Sequence, residues 1–81
     1  MERLDITQRL KLKPAQLQFL RDSIERAGKS ENQVAIAIGV PRANMSAMLS
    51  GNRPINEKDL RAICAEAGIR CIVKLEVDIY R

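Results

Sequence analysis

The spacing of apolar residues changes period along the chain, and the changes mark out its elements. Leu17, Leu20 and Ile24 recur at helical spacing after Pro14, a residue suited to a first helical turn, and Gly28 closes that stretch near Ala27. Val34, Ala35 and Ile38 form a second stripe, Met45, Met48 and Leu49 a third, and Leu60, Ile63, Cys64 and Ala67 a fourth. Four helices are predicted. From Ile69 the period falls to two: Ile69, Cys71, Val73, Leu75, Val77 and Ile79 alternate with Arg70, Ile72, Lys74, Glu76, Asp78 and Tyr80. That alternation predicts one long strand, with no turn between Arg70 and Arg81. Leu4, Ile6, Leu10 and Leu12 in the first thirteen residues fit a short strand, a short helix capped by Asp5, or an arm, with Arg9, Lys11 and Lys13 as a basic edge. The division that follows is residues 1–13 as an arm or short strand, 14–68 as a helical domain, and 69–81 as a C-terminal strand.

The stretch from Ser30 to Pro54 carries the most specific signal. Ser30 is placed to cap a helix, and Gln33, three residues on, completes the reciprocal pattern of a capping box. Gly39 supplies the positive φ that ends that helix, and Pro41 suits the start of the next, so the chain reads as helix, three-residue turn, helix. The next helix runs from Arg42 to about Leu49, roughly 12 Å at 1.5 Å per residue, which matches a major groove about 12 Å wide. Its outer face carries Ala43, Ser46, Ala47 and Ser50, all small, with Arg42 and Asn44 beside them as longer polar arms. Gly51 ends it, and Asn52, Arg53 and Pro54 form a polar connector. Two ordinary helices of a small bundle would share some of these features, since glycine at a helix end and alanine in a core are both common.

This stretch resembles the helix-turn-helix of phage-repressor and Cro-type (lambda-repressor-like) transcriptional regulators. The resemblance covers about Leu17 to Gly68 and is carried by Ala35 where two helices would cross, Gly39 in the turn, Met45 and Leu49 on the core side, and Ser50-Gly51 after the second helix. It implies a mainly α, four-helix DNA-binding fold. By that analogy Arg42, Ala43 and Ala47 face base edges, and Asn44, Ser50, Asn52 and Arg53 lie near phosphates or at the rim of the readout, with Ser46 on the same face. Where the family often has a phosphate-donating Gln at the start of the first motif helix, this chain has Glu31, which leaves Ser30, Asn32 or Gln33 to supply that contact.

Composition narrows the rest. Eighty-one residues make one domain, small enough that self-association would add useful burial. A net charge of +4 suits a polyanionic partner, though a solvated mixed-charge surface accounts for it equally well. Two cysteines and no histidine offer no zinc pattern, and Cys64 and Cys71 read as small apolar residues of a reducing, cytoplasmic compartment. No metal or cofactor is expected. With no His, no Gly-rich phosphate loop and scattered carboxylates, no catalytic constellation can be assembled, so the chain is not expected to be an enzyme. No stretch approaches the ~20 apolar residues of a membrane span, and the opening residues, with Glu2 and Asp5, lack the blocks of a signal peptide.

An unpaired strand needs a partner; the N-terminal segment is one candidate, but pairing antiparallel with the same strand of a second copy satisfies both edges. The expected homodimer interface is Ile69, Cys71, Ile72, Val73, Leu75, Val77 and Ile79. Two recognition helices about a twofold axis would read an inverted repeat in double-stranded DNA, with half-sites roughly 34 Å apart or a multiple of it. The expected function is sequence-specific transcriptional regulation, by repression, through contacts from Gln33, Arg42, Ala43, Asn44, Ser46, Ala47, Ser50, Asn52 and Arg53. The alternative is an antitoxin that also binds a toxin protein, using Ile36 and Phe19, which lie off their helices' apolar stripes, or the long strand.

Overall fold

The computed structural model describes residues 9–74 and 76–81. The sequence expectations for residues 1–8, and for Leu75 as an interface residue, lie outside the described residues. The remainder is mainly helical, with four helices and two small antiparallel sheets among the described residues.

Strand β1 (Arg9–Leu10) leads into α1 (Pro14–Arg26), whose Leu17, Leu20 and Ile24 are buried. The Lys13 N–H donates to Gln16 Oε1 at 2.9 Å, which satisfies one free donor where α1 begins. Next come α2 (Glu31–Ile38) and α3 (Arg42–Ser50), joined through Gly39, Val40 and Pro41. The capping box forms as its residues predict: Gln33 N–H donates to Ser30 Oγ at 3.1 Å, and Ser30 N–H donates to Gln33 Oε1 at 2.8 Å. Gly39 sits at φ 76° and closes α2, with the Val40 N–H reaching back to the Ala35 carbonyl at 3.0 Å. Strand β2 (Ile55–Asn56) pairs antiparallel with β1, Arg9 opposite Asn56 and Leu10 opposite Ile55. Helix α4 (Glu57–Ala67) follows at once, capped by Asn56, whose Oδ1 accepts from Asp59 N–H at 2.7 Å.

The four predicted stripes converge on one core. Leu20, Ile24, Val34, Met45, Leu49, Ile55, Leu60 and Ile63 are essentially inaccessible, and Leu10 and Leu12 close the core from the N-terminal side. Helix α4 packs on α1 and α2, and α3 packs on α1 and α2, so the α2–α3 pair is held from behind. Lys29, in the α1–α2 connection, donates to both the Glu66 carbonyl (3.1 Å) and its carboxylate (2.9 Å). This places a cation at the C-terminal end of α4, where the helix dipole favours one.

The C-terminal segment departs from the single strand that its periodicity predicts. Residues 70–80 form not one long strand but a hairpin, β3 (Arg70–Val73) and β4 (Val77–Tyr80), with Val73 opposite Val77 and Arg70 opposite Tyr80. The reversal occurs between Val73 and Val77, where the Lys74 N–H donates to the Glu76 carbonyl at 3.0 Å. A connection of three residues keeps odd-numbered positions on the same face of both strands, so the period of two runs through the turn without a break. Lys74 and Glu76 are also not turn formers, and the usual Gly, Asn, Asp and Pro markers are missing. The backbone of each strand therefore finds its partner within the chain. Gln16 Nε2 donates to the Val77 carbonyl at 2.5 Å and ties β4 to α1.

Candidate nucleic-acid interface

Helix α3 turns Met45, Met48 and Leu49 into the core and leaves Arg42, Ala43, Ser46 and Ser50 exposed, with Asn44 and Ala47 half-buried. Nine residues span about 13.5 Å. The outer face is low because its side chains are short, and the guanidinium of Arg42 stands at its N-terminal end. Two clefts run in succession along one side of the helix, meeting at Glu31 and Ser46. One, of about 330 Å³, is lined by Ser30, Glu31, Asn32, Arg42 and Ser46; the other, of about 310 Å³, by Arg21, Glu31, Ser46, Leu49 and Ser50.

The exit from α3 is fixed by one carbonyl. Ala47 C=O accepts from Ser50 Oγ (3.1 Å), Asn52 N–H (2.9 Å) and Arg53 N–H (3.2 Å), while Gly51 at φ 86° reverses the chain. These contacts place Asn52 and Arg53, both exposed, directly beyond the C-terminal end of α3. Arg21, on α1, donates through Nη1 to the Leu49 carbonyl and through Nη2 to Gln18 Oε1 at 2.8 Å. Its charge therefore meets the free carbonyls at the end of α3.

Of the nine candidate contact residues, eight lie on α3 or its exit loop. Gln33 lies apart on α2, exposed, with its Oε1 committed to the Ser30 N–H and its Nε2 without a hydrogen-bond partner among the described residues. Two further residues border this face. Arg21 carried no marker in sequence, because its tie to Leu49 depends on how α1 crosses α3. Glu31 stood out in sequence only as a departure, yet it lines both clefts.

The candidate interface residues of the C-terminal segment are placed differently from expectation. Ile69 and Val73 are buried in the chain's own core, and Cys71, Val77 and Ile79 pack partly against it. Ile72 points the other way and is exposed, as is Tyr80 on the same outer face. Phe19 is half-buried against the core, and the Arg81 guanidinium lies 5.8 Å from its ring centroid, so it is not a bare apolar surface. Ile36 is 73% exposed. Both cysteines are free thiols. No described helix is long and apolar enough to cross a membrane.

No family model, curated protein or solved structure matches the chain.

Proposed function

We propose that the chain is a non-catalytic, sequence-specific DNA-binding regulator of helix-turn-helix type, acting as a homodimer on an inverted-repeat operator and repressing transcription by occupying it. The observation that carries this reading is the outer face of α3: exposed, built of short side chains, headed by Arg42 and followed by Asn52 and Arg53. Such a face lets a helix backbone approach base edges closely, and the α2–Gly39–α3 arrangement supports it from behind. Arg42 donates to a guanine, Ala43 and Ala47 meet thymine methyl groups, and Asn44 pairs with an adenine or holds a phosphate. Arg53 neutralises backbone charge, and Gln33 Nε2, with Ser30 and Asn32 beside it, replaces the phosphate donor that Glu31 cannot be. The test is a fluorescence-anisotropy titration against the chain's own upstream DNA and a scrambled duplex at two salt concentrations. A preference for the upstream duplex with two chains bound supports the reading; weak, equal binding that vanishes with salt rejects it.

The exposure of Ile36 favours a second reading, in which the protein is an antitoxin and α2 also docks a toxin protein. Co-purification of a second chain encoded next to this one, lost on Ile36→Glu, distinguishes it.

A further inference from the structure

Glu31 is the residue that the contacts above leave unused. It lies in the first turn of α2, where the helix dipole stabilises its negative charge, and it is exposed. It lines both of the clefts that follow one another along one side of α3, and in both it shares the wall with Ser46, at the middle of the outer face. Arg21 borders one cleft and Arg42 the other, yet among the described residues neither forms an ion pair with Glu31. The carboxylate thus stands beside the reading face with its acceptor sites open among the described residues.

A carboxylate only accepts hydrogen bonds, and this restricts what it can meet in a major groove. Guanine presents two acceptors there, thymine a carbonyl oxygen and a methyl group, and adenine an acceptor beside its amine. Cytosine alone offers an amine with no neighbouring acceptor. Phosphate oxygens repel a carboxylate outright. We propose that Glu31 is a specificity-determining residue whose carboxylate accepts from the exocyclic amine of a cytosine, next to the guanine taken by Arg42. Donor and acceptor share one cleft, so together they select a guanine and a cytosine within its reach. Glu31 also weakens binding to every other sequence, raising discrimination at the expense of overall affinity. This inference rests on the DNA-binding reading.

The experiment is selection from a random duplex pool with the wild-type protein and with Glu31→Gln, the folded state of each checked by circular dichroism. Wild type is expected to enrich a cytosine at one position of each half-site, with about tenfold preference over the other bases. Because a glutamine amide pairs with adenine, Glu31→Gln is expected to shift that position from cytosine to adenine and to bind random DNA more tightly. If Glu31→Gln enriches the same sequence as wild type, only with uniformly higher affinity, Glu31 merely repels phosphates and the inference fails while the DNA-binding reading stands. If wild type enriches no sequence, the DNA-binding reading fails and takes this inference with it.

Discussion

Arg21 and Arg42 both border α3, and their surroundings assign them opposite work. Arg21 spends its guanidinium on Leu49 and Gln18, whereas Arg42 is exposed and makes no hydrogen bond or ion pair among the described residues. Arg21→Ala is therefore expected to lower folding stability by about 1 kcal/mol, the typical worth of a satisfied hydrogen bond. Arg42→Ala should stay within about 0.5 kcal/mol in urea denaturation, as exposed substitutions do. On DNA the order reverses: Arg42→Ala should cost about 1–3 kcal/mol and relax preference at one base pair, while Arg53→Ala weakens all sequences alike and flattens the salt slope. Equal losses on specific and random duplexes for Arg42→Ala would remove it from the base-reading set. Cys64 supplies a prediction of another kind. Burial first, and the neighbouring Cys71 second, push its thiol up to about 12 from an ordinary 9.0. The folded state therefore holds a proton that the unfolded chain releases, so this part of the stability is complete below pH 9 and is lost as pH rises towards 12. Cys64→Val should show a smaller drop in stability between pH 8 and about pH 10.5 than wild type does, measured by urea melts at both.

At the level of elements, two glycines with similar φ have different neighbours. A Cβ at Gly39 would meet nothing within 4 Å, but at Gly51 it would lie 3.1 Å from Leu17 Cδ1, a buried side chain of α1. Gly39→Ala should cost about 1–2 kcal/mol, the penalty of a left-handed residue bearing a Cβ. Gly51→Ala should cost more, because Leu17 must also move. Equal costs in chemical denaturation would mean that the Leu17 contact relaxes freely. These helix ends were legible in the sequence because each is a local event: Ser30 with Gln33, Gly39, Gly51, Asn56 and Gly68 act within a turn of where they stand. The apolar stripes were legible for the same reason, since a helix repeats its face every few residues. What the pattern hid was pairing between distant segments. Nothing in Arg9-Leu10 names Ile55-Asn56 as its partner, and an odd-numbered connection let the β3–β4 hairpin pass for one strand. In the candidate site, the α3 residues were readable from helical periodicity. Arg21 and the double placement of Glu31 were not, because both depend on how α1 and α2 lie against α3.

For the molecule as a whole, the hairpin changes what a homodimer has to be made of. A lone strand would have demanded a partner strand, from a second copy or from the N-terminal segment; a hairpin that buries Val73 and partly covers Cys71, Val77 and Ile79 makes no such demand. What remains outside is the opposite face, where Ile72 and Tyr80 lie diagonally across the two strands, each about two-fifths exposed (38% and 41%). The proposed homodimer therefore has its strongest candidate contact there, and Ile36, on α2, belongs to a separate apolar spot. Two substitutions separate these surfaces. Ile72→Glu is expected to shift the protein from dimer to monomer in sedimentation equilibrium and to reduce operator affinity at least about tenfold, because losing simultaneous engagement of two half-sites forfeits avidity. Its helical circular dichroism and its weak binding to random DNA should be unchanged, since Ile72 takes no part in the core. Ile36→Glu should leave both the dimer and operator binding intact while abolishing capture of a toxin partner. A dimer that survives Ile72→Glu and dissociates with Ile36→Glu would move the twofold axis from the hairpin to α2, and with it the expected spacing of the half-sites.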